Sequence, residues 1–347
     1  MSQRRPRHHL NLESGRIDMS HGSGGRAMAQ LIDELFRHHL DNRYLRQGDD
    51  HASFEVGAGR LAMSTDGHVI SPLFFPGGDI GSLAIHGTVN DVAMAGAMPH
   101  YLSAGFILEE GLPLADLQRI VISMAEAATA AGVAVITGDT KVVERGKGDG
   151  IFITTTGVGT IPDGVAISGR NARPGDRVIV SGTMGDHGVA ILACRNGLQL
   201  QSTILSDSAP LHRMVAAMVA VAPNIHSLRD PTRGGLATTL NELAQQSQVG
   251  IRLEESAIPV REEVSAVCEL LGLDPLYSAN EGKLICICDP ADAEPLVATM
   301  RRQPYGEDAA VIGEVVADPH HFVQLRTRFG GSRIVDWLVG EQLPRIC

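Results

Sequence analysis

The chain has 347 residues, of which 44% are hydrophobic and 20% are charged, as is typical of a folded protein long enough for two domains. A formal net charge of −11 argues against a phosphate-backbone partner, and an aromatic content of 4% argues against a base-stacking nucleic-acid surface. Five cysteines without a CxxC pair fit a reducing compartment. We expect a cytoplasmic protein, because the sequence shows neither a signal-peptide pattern nor an apolar segment long enough to span a bilayer.

Helices and strands alternate in the first half of the sequence. We expect residues 1–20 to form a loose arm, followed by a helix that Ser23 caps and that carries apolar residues at helical spacing as far as Phe36. Further helices are predicted at 82–95 and 115–131, and strands at 60–65, 133–137 and 151–160.

A segment rich in proline, glycine and charge at 161–176 predicts a boundary between two domains. A strand at 177–181 and a helix at 189–195 begin a second α/β run, and the piece at 334–339 either docks a tail or finishes the second domain. The predicted division is an arm at 1–20, an N-terminal domain at 21–165, a C-terminal α/β domain at 166–333 and a mobile tail at 334–347.

Acidic residues stand at or near the predicted ends of several helices and strands, beside glycine, threonine or asparagine. Carboxylates that converge from several elements suit Mg²⁺, which prefers oxygen ligands and often also binds phosphates. Each acid taken alone is better explained as a turn or cap residue. The acids are Asp49, Asp50, Asp66, Asp91, Asp139 and Asp230.

Two glycine-rich turns could bind an anion. Residues 21–25 open a helix, so the backbone N–H groups around Gly24 and Gly25 could meet a phosphate. Arg233, followed by two glycines, adds a forked cation suited to phosphate oxygens. Since neither GxxxxGK[ST] nor a strand-GxGxxG-helix pattern occurs, the residues indicate a Mg²⁺–phosphate enzyme without the two commonest nucleotide motifs.

The cysteines differ in their surroundings. Cys286 and Cys288 lie on one face of an apolar strand pattern and are predicted to be buried, as are Cys194 and Cys268 within helical patterns. Cys347 is the last residue of the sequence, where a thiolate would be a mobile nucleophile unless its position is accidental.

Several motifs, in order along nearly the whole chain, resemble the HypE family of hydrogenase maturation factors. This family belongs to a superfamily with aminoimidazole ribonucleotide synthetase, selenophosphate synthetase and thiamine-monophosphate kinase. The acid pair is followed here by His51 and Ala52, where the superfamily more commonly has two alanines. The matching segments are 21–25, 71–81, 87–94, 138–143, 230–235, 280–283 and 344–347.

The resemblance implies a two-domain PurM-like fold of class α/β, whose N-terminal domains pair their sheets in a homodimer. It also implies ATP bound through Mg²⁺ without a P-loop, with Asp139, Arg233, Gly24 and Gly25 near the nucleotide. The implied Mg²⁺ and ATP ligands are Asp50, Asp66, Asp91 and Asp230.

The family's chemistry implies a role for Cys347. The carbamoyltransferase HypF would carbamoylate this cysteine, ATP would drive dehydration to a thiocyanate, and the cyano group would pass to iron on the HypC–HypD complex for a [NiFe]-hydrogenase. Lys141 would contact the phosphoryl group or act as a base if burial lowers its pKa, and Glu281 is the other candidate base. The tail is expected to have an inward and an outward position, with nucleotide shifting the two populations.

Two alternatives stay open at this point. A selenophosphate synthetase-like enzyme would be expected to have an N-terminal cysteine, whereas no cysteine precedes Cys194 in this chain. A non-catalytic thiol or metal carrier would use Cys347 and the histidines but would not need the acidic residues.

Overall fold

The computed structural model describes residues 9–22, 26–47, 54, 57, 59–195, 204–338 and 346. Four predicted site residues, Gly24, Gly25, Asp50 and Cys347, lie outside these ranges. Within them, no helix is both long and apolar enough to cross a membrane.

The N-terminal domain is a four-stranded sheet with helices packed on one face. The strands are ordered β1-β6-β4-β5, and all neighbours are antiparallel except β4 and β5. A small hairpin, β2–β3, directly precedes helix α3, which packs against α4. The strands are β1 (Arg60–His68), β2 (Phe74–Phe75), β3 (Gly78–Asp79), β4 (Met98–Glu109), β5 (Ala134–Val143) and β6 (Ile151–Ile161). The helices are α1 (Arg26–Leu31), a π-helical turn (Ile32–Phe36), α2 (Arg37–Leu40), α3 (Ile80–Met94) and α4 (Leu114–Ala131), with short 3₁₀ turns at Met19–Gly22 and Leu45–Gln47.

Helix α3 lies at the centre of the molecule. Its first turn is closed by a capping box, in which the Asp79 carboxylate accepts N–H bonds from Gly81 and Ser82 while the Ser82 hydroxyl accepts from the Asp79 N–H. Gly81 allows α3 to approach α4, because a Cβ there would lie 2.2 Å from the Ile120 carbonyl oxygen. Most α3 side chains are buried, which is expected for a helix enclosed by a sheet, another helix and a second domain.

The C-terminal domain is a seven-stranded mixed sheet ordered β13-β12-β9-β11-β7-β10-β8, in which only β9 and β12 are parallel. Its apolar core is made by alternate residues of these strands and by the helices packed on them. The strands are β7 (Arg177–Val180), β8 (Ser227–Arg229), β9 (Gly250–Glu254), β10 (Ile285–Cys288), β11 (Ala310–Val316), β12 (Val323–Arg326) and β13 (Ser332–Ile334). The helices are α5 (Asp186–Arg195), α6 (His212–Val221), α7 (Gly235–Ser247), α8 (Glu262–Leu271) and α9 (Pro290–Met300), with 3₁₀ turns at Glu255–Ala257 and Pro275–Tyr277.

The structure departs from the predicted elements at several points. Asp66 and Asp139 lie within strands rather than at strand ends, because β1 continues to His68 and β5 continues to Val143. The described part of the predicted loose arm packs on the N-terminal domain, where Ile17 is buried and its N–H bonds to the Leu112 carbonyl at 2.8 Å. Cys194 is exposed on α5, whereas Cys268, Cys286 and Cys288 are buried as predicted.

The segment predicted as a mobile tail also differs from that prediction, because two of its described residues are buried. Val335 is buried in the C-terminal core, and its carbonyl accepts from the Asn241 amide at 2.9 Å. Ile346 is buried as well, in the core of the N-terminal domain, and forms an antiparallel bridge with Ile70. The second domain therefore continues at least to Val335, and Ile346 lies in the core of the N-terminal domain.

Candidate active site between the domains

An acidic cavity of about 440 Å³ lies between the two domains. Strand β1 and helix α3 provide Asp66 and Asp91, and the segment after β8 provides Asp230 and Arg233. Four predicted site residues are thus brought together from three elements, two in the N-terminal domain and one in the C-terminal domain, and the pairing of the domains is what assembles them.

The carboxylates in this cavity disfavour one another's charge. Burial, together with the neighbouring Asp91 and Asp66, raises the pKa of Asp230 to about 7. Burial also raises the pKa of Asp91, against the effect of a hydrogen bond that the Ser64 hydroxyl donates to it at 2.8 Å. Repelling carboxylates around an open space fit a divalent cation, which would neutralise them with the oxygen ligands it prefers. Among the described residues, however, no three His, Cys, Asp or Glu side chains are already arranged as a metal cluster.

Glu281 is buried beside this cavity. Burial, followed by the charges of Asp230, Asp207 and Asp66, raises the pKa of Glu281 well above its usual range. Its Oε1 atom has no hydrogen-bond partner among the described residues. A carboxyl group with a raised pKa is a stronger base than an ordinary carboxylate, and an oxygen atom without a partner among the described residues leaves it available for proton transfer.

Asp207 and Asn90 hold the backbone around Glu281. Asp207 accepts the Glu281 N–H at 2.9 Å and the Lys283 ammonium at 3.1 Å, the latter in a buried ion pair. The Asn90 amide, on α3, donates to the carbonyls of Glu281 and Ala209 at 3.2 and 2.9 Å. Neither residue was singled out from the sequence as part of the site. Asn90 lies in the 87–94 motif, but Asp207 is 74 residues from its partner and carries no local signal.

Asp139 and Lys141 form a separate group at the opposite edge of the N-terminal sheet. Their side chains are paired at 2.8 Å and about two-thirds exposed, so the burial that would favour Lys141 as a base is not present in the single chain. They lie on β5, three strands from β1, which is roughly 14 Å at ordinary strand spacing. Nearby, Gly22 packs against Val142, where a Cβ at Gly22 would lie 2.7 Å from the Val142 Cβ.

A second, smaller cavity adjoins this edge. It has a volume of about 140 Å³ and lies between the N-terminal helices and β5, lined by Phe36, Tyr44, Phe106 and Asp139. The predicted site residues are therefore divided between the acidic interdomain cavity and a partly apolar cleft at the β5 edge.

Ile346, near the end of the predicted tail, contacts His187 on α5, which lines neither of the two cavities described above. The His187 Nε2 atom is 2.7 Å from the carbonyl oxygen of Ile346, and its Nδ1 atom is 2.8 Å from the Ser206 hydroxyl. Ser206 directly precedes Asp207, so the contact with the tail adjoins the segment that supports Glu281. The sequence did not indicate His187, whose partner Ile346 is 159 residues away.

Fold and site together define a two-domain protein of the AIR synthase related class. The family model for the N-terminal domain of AIR synthase related proteins matches residues 48–161, and the model for their C-terminal domain matches residues 173–326. Thiamine-monophosphate kinase from Stenotrophomonas maltophilia, 20% identical with a TM-score of 0.66 over 87% of this chain and 96% of its own, shares this fold.

Closer relatives are named carbamoyl dehydratase HypE. The protein of that name from Cupriavidus necator is 67% identical over 97% of both chains, and that from Escherichia coli K12 is 48% identical over 95% of this chain and 99% of its own. The chain belongs to the HypE family.

Solved structures agree with this assignment. A hydrogenase maturation protein HypE in complex with ATP is 54% identical, with a TM-score of 0.92 over 95% of this chain and 99% of its own. A chain of a HypE–HypF complex is 47% identical, with a TM-score of 0.79 over 89% of this chain and 99% of its own. The two-domain α/β fold predicted from the sequence is confirmed.

Proposed function

We propose that this protein is an ATP-dependent carbamoyl dehydratase that converts an S-carboxamide on Cys347 into a thiocyanate, the source of the cyanide ligand for the iron of [NiFe]-hydrogenase. The observation that carries the proposal is the position of Ile346. It is buried in the N-terminal core and bonded to His187, so the residue before Cys347 lies beside the segment that holds Glu281. Relatives named for this activity and the ATP complex of one of them support it.

The reaction needs a leaving group and a base. A primary amide loses water reluctantly, and transfer of the ATP γ-phosphoryl group to the amide oxygen turns that oxygen into a phosphate. The carbon–oxygen bond then breaks as the nitrogen loses two protons, giving the S–C≡N group, ADP and phosphate. Glu281, with its free Oε1, is suited to accept a proton from the amide nitrogen. Arg233 would contact phosphate oxygens as a forked donor.

Mg²⁺ fits the acidic cavity. Asp66, Asp91 and Asp230, with Asp50, would hold the ion, and when bound it would offset the charge of the phosphates. Lys141, paired with Asp139 at the β5 edge, is proposed to contact the transferred phosphoryl group. In a single chain the N-terminal sheet lies between the acidic cavity and the Asp139–Lys141 pair. The proposed role of Lys141 therefore depends on how chains assemble.

The proposed partners follow from the relatives and from the surface. HypF is proposed to carbamoylate Cys347, supported by the HypE–HypF complex of a 47% identical chain. HypC–HypD is proposed as the acceptor of the cyano group, and the cytoplasm as the compartment. A homodimer is proposed because the face of the N-terminal sheet opposite α3 and α4 exposes Leu61, Met63 and Ile107.

Mass spectrometry of the C-terminal peptide tests the function directly. After incubation with HypF, carbamoyl phosphate and ATP, the peptide is expected to carry a carbamoyl group that then loses one water. Without ATP in the second step, the carbamoyl form should persist. An unmodified Cys347 under conditions that modify a homologue would contradict the proposal, as would unchanged modification in a Cys347→Ala variant.

The two alternatives from the sequence are less well supported. Neither a selenophosphate synthetase-like activity nor a passive carrier requires the buried contact between His187 and the tail, or a buried Glu281 beside it. The named relatives also cover almost the whole chain at high identity.

A further inference from the structure

The end of the tail is held by a continuous series of hydrogen bonds. The Ser208 N–H donates to the Ser206 hydroxyl at 3.1 Å, that hydroxyl lies 2.8 Å from His187 Nδ1, and His187 Nε2 lies 2.7 Å from the Ile346 carbonyl oxygen. The imidazole is fully buried and packs edge-on against Phe75, with ring centroids 5.6 Å apart. Its orientation is therefore determined by neighbours on both sides.

The partners also determine the tautomer of His187. A carbonyl oxygen can only accept, so Nε2 must carry the proton that is donated to Ile346. Burial lowers the pKa of His187, with Arg195 acting in the same direction and Asp207 and the Ile346 carbonyl acting against it, so the ring is neutral and Nδ1 accepts from the Ser206 hydroxyl. Every polar atom of the ring has one defined role.

We propose that His187 is a positioning residue for the dehydration, and that its Nε2–H bond to the Ile346 carbonyl sets the inward register of the tail. This inference rests on the proposed function, since it concerns where Cys347 is presented. Burial of the Ile346 side chain favours an inward tail but is non-directional, as apolar burial is. The antiparallel bridge with Ile70 orients the backbone of Ile346, and the His187 bond, one residue from Cys347, adds the directional side-chain contact that sets how far the chain is drawn in.

The same segment supports the tail and the candidate base. Ser206 orients His187, and Asp207, the next residue, accepts the Glu281 N–H at 2.9 Å. Ser206 is itself fixed to the β2–β3 hairpin, where its N–H donates to the Pro76 carbonyl at 2.8 Å. The tail and Glu281 are thus positioned relative to one short stretch of backbone, which is the arrangement that precise alignment of reacting groups requires.

Two substitutions at His187 separate the hydrogen bond from packing. His187→Gln keeps an N–H donor at the position of Nε2, whereas His187→Leu fills similar space without a donor. Each full-length variant is first carbamoylated by HypF, and ATP is then added in a single turnover followed by mass spectrometry. We expect His187→Leu to slow dehydration about tenfold and His187→Gln to stay within about threefold of wild type, as the loss or retention of one buried hydrogen bond would give.

A second readout reports the tail itself. In a Cys194→Ser background, which removes the exposed thiol among the described cysteines, Cys347 should react faster with a maleimide in His187→Leu than in wild type or His187→Gln. Carbamoylation by HypF, which needs an accessible Cys347, should not be slowed by His187→Leu. A merely structural role would lower the melting temperature without this selective change.

Three outcomes would overturn the inference. These are wild-type dehydration and labelling in His187→Leu, equal loss in the glutamine and leucine variants, or slower labelling of Cys347 in His187→Leu. If His187→Leu does not fold, Ser206→Ala serves instead and should slow dehydration about threefold, and an unchanged rate would overturn the inference. A wild-type chain that is carbamoylated but never dehydrated would refute the proposed function rather than the role of His187.

Discussion

Glu281 combines burial, a raised pKa and an oxygen atom without a partner among the described residues. Such a group costs folding free energy, which proteins usually tolerate only where the group has a function. The hydrogen bonds from Asp207 and Asn90 are made to the backbone of Glu281 and not to its carboxyl group. The backbone of Glu281 is therefore held in place while its carboxyl Oε1 atom remains available.

Glu281→Gln should abolish the base without changing the shape of the side chain. We expect dehydration of carbamoylated Cys347 to fall by roughly 10²- to 10⁴-fold, the usual contribution of general acid–base catalysis. Binding of ATP and carbamoylation by HypF should remain, as measured by calorimetry and by mass spectrometry. Glu262→Gln, at an exposed position on α8, is the matched control. Dehydration at the wild-type rate in Glu281→Gln would show that another group removes the amide protons.

Asp230 should make stability depend on pH. Its pKa is about 7 in the folded protein against 3.8 when unperturbed, so the folded state binds more protons between those values and becomes less stable as pH rises through that window. Asp230→Asn should therefore raise the melting temperature of the nucleotide-free protein near about pH 8, with a gain that shrinks as pH falls towards about 4.

Thermal unfolding over this pH range measures the effect. Asp163→Asn, an exposed position outside the cavity, is the control and should change the melting temperature little. An Asp230→Asn protein that melts below wild type at alkaline pH would mean that the carboxylate is stabilised by its surroundings. In that case the charge repulsion inferred for the cavity would be incorrect.

At the level of elements, α3 connects the two domains and the site. Its first turn is capped by Asp79, its last turns carry Asn90 and Asp91, and Gly87 lines the acidic cavity. Asn90 bonds three backbone groups of the C-terminal domain, including the Leu211 N–H at 2.8 Å. A change in the position of α3 would alter the metal-binding candidates and the support of Glu281 together.

Removal of the α3 cap should lower the stability of the whole protein. Asp79→Ala is expected to lower the free energy of unfolding by roughly 0.5–2 kcal/mol, because two N–H groups lose their acceptor. Urea unfolding followed by circular dichroism gives this value. Asp116→Ala, in the first turn of α4 where the acid only approaches Arg119 at 3.8 Å, should cost much less. Equal losses in both variants would contradict a specific role for the cap.

The sequence predicted α3 and α4 nearly to the residue, since their apolar spacing and turn residues are local signals. It did not predict that β5 continues through Gly138 and Lys141, because those residues are held in the sheet by pairing with β4 rather than by their own propensity. The acids of the cavity were found from their motifs. Asp207 and His187 were not, since their roles arise from contacts that only the folded chain creates.

At the level of the whole molecule, one face of the N-terminal sheet is packed by neither α3 nor α4, and Tyr44 and Phe54 contact it at Tyr101. Met63 is 70% exposed and lies on the same side of the sheet as Ile107, which is 42% exposed. The helices that bury the other face leave this one free to pack against a second copy.

Met63→Lys should weaken the dimer. A charge placed in an apolar interface is costly to desolvate, so light scattering after size-exclusion chromatography should show a shift from dimer to monomer. Leu270→Lys, on α8 and also 70% exposed, is the matched control and should leave the dimer intact. A monomeric wild-type protein would contradict the proposed homodimer, and a Met63→Lys protein that stays dimeric would show that another surface forms the interface.

The bridge between Ile70 and Ile346 joins two parts of one chain, and this determines the kinetic order of the proposed reaction. A reacting group on a short tether has an effective concentration of about millimolar or more, whatever the concentration of the protein. Once Cys347 is carbamoylated and ATP is saturating, the half-time of dehydration should not change on dilution over the range in which the proposed dimer stays intact. Each chain then completes one turnover and remains bonded to its product until an acceptor removes the cyano group.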